Sequence, residues 1–217
     1  GSEMCIRDRQ IDNRAKWSKL IESGIEKGGL LVYHQLASFD SKGFMNDPRT
    51  GRDLSITDYD PLANTLYVTP NYLDMQRISV SPAEKERLNH LQAGEFGLLL
   101  PEKLKSQEEE LKKRYEDYLT PRDDQGKSQL PMKARVTYLP NNQKRFIYNN
   151  TPMNYQQFLT DPILVVVQPK SFGGYDNPYF SQLNSYLYFD GLEKSKKLVA
   201  EHGLEKNVSQ YDYATAV

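Results

Sequence analysis

The sequence predicts an α+β fold, one mixed domain whose helices pack on a mostly antiparallel sheet. Three observations lead there. Short apolar runs and amphipathic helical stretches intermix without a strict strand–helix–strand rhythm. The 217 residues suffice for one ordinary core. No segment recurs at a fixed period, which excludes a repeat architecture. At 38% hydrophobic and 26% charged residues the chain is polar, and its 15 tyrosines and 8 phenylalanines must supply much of the buried area.

The opening "GSEMCIRDRQ" shows neither helical nor strand periodicity. Gly1-Ser2 resembles a tag-cleavage scar, and "EMCIRDR" resembles a transposase mosaic-end sequencing adapter read as GAG-ATG-TGT-ATA-AGA-GAC-AG. Residues 1–9 are therefore expected to be non-native and are left out of the fold, giving a single domain over 10–217 whose own N-terminal flank is open. From Gln10 onward there is no cysteine, so this portion has no disulfide, thiolate ligand or thiol nucleophile.

Ala15, Trp17, Leu20, Ile21 and Ile25 fall near helical spacing, with Gly28-Gly29 as a stop. A strand is expected over Leu30–Ala37, followed by a long Asp-, Gly- and Pro-rich loop over 38–61. "TLYVTPNYL" reads as a strand entering a turn. In "SPAEKERLNHLQAG", Ser81 is the N-cap, Pro82 opens the helix, Glu84 lies three after the cap and Gly94 is the stop. "EFGLLLP" is a buried strand, and the longest helix is expected from Pro101 with a stripe of Leu104, Leu111, Tyr115 and Tyr118. Val136 and Tyr138 alternate before a Pro-Asn-Asn turn, and Phe146 and Tyr148 after it, which predicts a β-hairpin. "DPILVVVQ" is the best central strand, "SYLYF" a short one, and "GLEKSKKLVAEHG" a last helix closed by Gly203.

The chemistry-bearing residues assemble no catalytic motif. His34, His90 and His202 stand at no i, i+4 spacing, and structural roles are expected for all three. Asp40, Asn46, Asp47 and Asp53 invite a calcium reading. They fail the EF-hand pattern and lack its twelfth-position glutamate, so a solvated turn-rich loop is expected. "GKS" at Gly126–Ser128 lacks the strand and upstream glycine of a phosphate loop. Net charge is −1, which argues against a generic nucleic-acid or anionic-membrane binder. No catalytic, cofactor-binding or metal residue is selected, no cofactor is expected, and the chain is read as a non-enzyme. Two loops, 38–61 and 171–179, are favoured as binding segments because long loops on a rigid scaffold carry recognition.

Several phrases in order resemble a known family: "AKWSKLIESG", "NTLYVTPNYLDMQRI", "GLLLPEKLKSQEEELKKRY", "NNQKRFIYNN" before "DPILVVVQPK", and "LYFDGLEKSKKLVAEHGLEKNVSQYDY". Over Trp17–Tyr213 they resemble the extracellular domain of the bacteriocin-associated integral membrane proteins, Gram-positive permeases related to the FtsX/MacB-type ABC transporters. The resemblance implies a MacB-type extracytoplasmic domain between the first two membrane helices, on the extracellular face of the cell membrane. It also implies a separate cytoplasmic ATPase subunit reached through omitted membrane helices, and an antimicrobial peptide or envelope protein as ligand. The Trp17 helix and the "SQYDYATAV" segment would then be stalks. A free secreted or lipid-anchored binding protein is the alternative, and a cell-wall enzyme comes after it.

Overall fold

The computed structural model describes residues 2–8, 14–35, 64–147, 158–173, 187–189, 192–206 and 208–215. In chain order these form strand β1 (Ser2–Asp8), helix α1 (Arg14–Glu26), β2 (Leu30–Gln35), β3 (Thr65–Val68), the short α2 (Asn71–Met75), α3 (Pro82–Asn89) and β4 (Glu95–Pro101). A 3-10 stretch (Glu102–Gln107) leads into α4 (Glu108–Leu119), followed by β5 (Lys133–Leu139), β6 (Lys144–Phe146), β7 (Phe158–Thr160) and β8 (Ile163–Val166). A 3-10 turn (Pro169–Phe172), β9 (Leu187–Phe189), α5 (Leu192–Glu201) and β10 (Val208–Thr215) complete the described chain.

Eight strands make one sheet in the order β10-β1-β9-β2-β3-β8-β4-β5. Its pairs are antiparallel except β3 with β8 and β4 with β5, so the α+β class with a mostly antiparallel sheet holds. β8 lies between β3 and β4, the central place its β-branched run called for.

Successive residues of the central strands serve opposite faces. Tyr67, Phe96, Leu98, Leu100, Ile163 and Val165 pack in one core with Leu20 and Ile21 of α1, Leu111 and Tyr115 of α4, and Leu198 and Val199 of α5. Leu66, Val68, Leu99, Leu164 and Val166 pack in a second with Tyr72 and Leu73 of α2, Leu88 of α3, Phe146 and Leu159. Helices thus cover both faces of the central strands, which is why those strands read as continuous apolar runs. A direct bond between the Thr65 and Tyr115 hydroxyls, 2.5 Å apart, joins β3 to α4 within the buried interior.

Several expectations are corrected. The hairpin does not form: β5 pairs parallel with β4, and β6 pairs with β7 in a separate two-stranded ribbon. The Pro-Asn-Asn turn is real, with Asn142 at φ 63°, but it carries the chain off the sheet so that Phe146 and Leu159 enter the second core. The helix expected from Pro101 begins as 3-10 and becomes α-helical only at Glu108. Within the α-helix the buried face runs through Leu111, Tyr115 and Leu119 at four-residue spacing, so Leu119 is buried and Tyr118 is 50% exposed. Neither expected stalk stands apart from the body. Leu20 and Ile21 sink α1 into the core, and β10 runs antiparallel to β1. Ser2–Asp8, set aside in the sequence reading, lies in the sheet between β9 and β10, because ladder pairing is made by backbone groups and needs no side-chain alternation.

Candidate functional site

α1 and α5 lie against each other on one face of the sheet, and a charged cleft opens at their surface. α1 ends where the sequence placed its stop: the Lys27 amide donates to the Ser23 carbonyl, Gly29 to Gly24, and Gly28 takes φ 88° with open space around it. Lys27 therefore leaves the last turn of α1 facing outward, 58% exposed along its side chain. Ser195, Leu198 and Val199 form the buried side of α5. Lys194, Lys197 and Glu201 are three and seven positions apart, so they share one strip of its exposed side.

The cleft has a volume of about 280 Å³ and is lined by Lys27, Lys194, Lys197, Leu198 and Glu201. Lys27 Nζ lies 3.2 Å from Glu201 Oε2, a bridge that joins the two helices across the opening. Leu198, 3% exposed, gives the cleft an apolar floor. Among the described residues, three ammonium groups thus border the cleft with one carboxylate, in a chain whose total charge is close to neutral. The described lining therefore carries a formal excess of positive charge.

A second polar cluster lies at the β5–β6 and β7–β8 turns. Asp161, at φ 49°, is 3% exposed; its carboxylate accepts from the Gln143 amide at 2.8 Å and sits 2.9 Å from Lys103 Nζ. Burial alone would raise the Asp161 pKa. The Gln143 and Asn142 amides and the Lys103 ammonium outweigh it and hold the carboxyl below its ordinary value. Arg145 is 8% exposed, and burial lowers its guanidinium pKa against the pull of Tyr72 and Asp161. The cluster pins the two turns to the 3-10 stretch after β4, through the Gln143 amide and the Lys103 ammonium. It is a structural lock.

The sequence-stated candidates fall elsewhere. Loop 38–61, with Asp40, Asn46, Asp47 and Asp53, lies outside the described residues, as does the side chain of His34. Of 171–179, only Ser171, Phe172 and Gly173 are described; the first two are buried, and Ser171 Oγ accepts from the Gln168 amide. His90 is exposed at the end of α3, its Nδ1 3.0 Å from the Glu86 carbonyl. His202 follows α5 with Nδ1 2.9 Å from the Leu198 carbonyl. "GKS" occupies a tight turn in which Asp123 Oδ1 accepts from the Gln125 and Lys127 amides, and no helix follows it. Among the described residues, no group of His, Cys, Asp and Glu is arranged to hold a metal ion.

The cleft was missed because Lys27 and Glu201 are 174 positions apart. The one local signal was "EKSKK", which puts Lys194 and Lys197 on a shared face once a helix is assumed. Neither a protein-family model, nor a curated protein, nor a solved structure matches this chain.

Proposed function

We propose that this chain is the extracellular ligand-binding and motion-transmitting domain of an ABC-type permease linked to bacteriocin or antimicrobial-peptide export or immunity. The observation that carries the reading is the order of the short phrases between Trp17 and Tyr213. Among the described residues no helix is long and apolar enough to cross a membrane, so the spans of such a permease would lie outside them.

The domain would act by differential affinity. ATP turnover in a separate cytoplasmic subunit moves the membrane helices, the domain changes between two states, and a ligand favours one of them. An antimicrobial peptide or an envelope protein would be that ligand. No bond-making step is assigned to the chain. The test is to sequence the native locus through both ends of the reading frame. The expected result is a membrane helix encoded before Gln10, further spans after Val217 and an adjacent ATPase gene. A signal segment before Gln10 with a stop codon near Val217 would replace this reading with a free secreted binding protein.

A further inference from the structure

We infer that the cleft between α1 and α5 is a binding site for a phosphate-bearing ligand. The inference rests on reading the chain as a binding domain and does not depend on how that domain is anchored. Lys27, Lys194 and Lys197 border the opening, and Glu201 engages Lys27 across it. Among the described residues, neither Lys194 nor Lys197 is ion-paired, so two ammonium groups on one helical strip are left to meet an anion. Glu201 holds Lys27 in place from the neighbouring helix, which fixes the third ammonium without neutralising the other two.

The residue type decides between anions. Flat, two-point recognition of a carboxylate favours the planar fork of arginine, whereas lysine binds phosphate as a compact point charge. Among the described residues the cleft is lined by three lysines and no arginine. A tetrahedral phosphate can present separate oxygens to ammonium groups arriving from two helices, and a carboxylate has two oxygens in one plane. The volume of about 280 Å³ and the Leu198 floor leave room for the group that carries the phosphate. That chemistry is shared by a free phosphate compound and a phospholipid headgroup.

The experiment uses the whole chain and two probes. Inorganic phosphate is titrated while amide shifts are followed by NMR, and vesicles of phosphatidylglycerol with phosphatidylcholine are tested by co-sedimentation against phosphatidylcholine alone. The comparison is between K194E/K197E and the charge-matched control K113E/K170E, which alters exposed lysines outside the cleft. Thermal unfolding verifies that both variants fold. Saturable shifts confined to residues 25–29 and 192–203 are expected, weakened about tenfold or more in K194E/K197E and within about twofold of the parent in the control. Phosphate binding without vesicle binding assigns a soluble source, and cleft-dependent binding of anionic vesicles assigns a headgroup; either supports the site. Non-saturable shifts together with no vesicle binding, or equal loss in both variants, would overturn it. The native-locus experiment reads the permease assignment separately, so failure of one leaves the other standing.

Discussion

Gly94 shows how much one residue can be constrained. Its φ of 82° suits glycine, and a β-carbon built there would lie 2.8 Å from the Pro131 carbonyl oxygen, which cannot yield without moving the turn before β5. Gly94→Ala should therefore cost about 1–3 kcal/mol, read from the midpoint of urea unfolding at unchanged slope. Asp161 is constrained electrostatically. Its pKa is lowered in the folded state, so its carboxylate contributes stability that is complete above its unfolded value near 3.8 and is lost as pH falls through the lower folded value. Asp161→Asn should flatten the dependence of stability on pH below about 4, measured by unfolding at a series of acidic pH values. Asp161→Ala, which leaves Arg145 and Lys103 without the carboxylate, should cost about 3 kcal/mol at neutral pH. Neither residue could be singled out from the sequence as structural in this way. Gly94 read only as a helix stop, and Asp161 was one acid among many until the fold brought Gln143 and Lys103 to it.

At the scale of elements, what could be read ahead was local. The Ser81 side chain accepts from the Glu84 amide and Pro82 opens α3, as the cap signature required. Ser81→Ala should cost about 1 kcal/mol in thermal or chemical unfolding. Gly28 and Gly203 likewise take positive φ at the ends of α1 and α5. What could not be read ahead was pairing. Val136 and Tyr138 alternate as a hairpin strand would, yet that alternation says which face is buried and not which neighbour supplies the ladder. The seating of α3 on β4 was equally hidden. A β-carbon at Gly97 would run into the Leu88 side chain of α3 and lie 3.1 Å from Val166 Cβ on β8, so the glycine sets how closely the helix approaches the sheet. Gly97→Ala should destabilise by about 1–3 kcal/mol, and the double variant with Leu88→Ala should lose less than the sum of the two single losses, a double-mutant-cycle result that locates the strain in that contact.

Among the described residues, the strands of the sheet differ in how they are held. Around β3, β8 and β4 both faces of the sheet are covered, and the two cores meet through strands whose residues are buried throughout. At the other end, β10 has β1 as its partner among the described residues, and β1 alone joins it to β9. That dependence can be tested directly, because the residues building β1 are those whose codons resemble an adapter. In a chain lacking residues 1–9, β10 loses the ladder running from Ser2↔Thr215 to Asp8↔Val208. Local opening there need not reach the two cores, which lie in other strands. Amides of residues 208–215 should then exchange at close to the unprotected rate, while those of 65–68, 97–100 and 163–166 keep their protection. If the latter also lost protection, the sheet would be a single cooperative unit and β1 integral to it. If 208–215 instead stayed protected, β10 would have closed onto β9, and the strand encoded by the adapter-like codons would be an insertion that the sheet accommodates rather than one it requires.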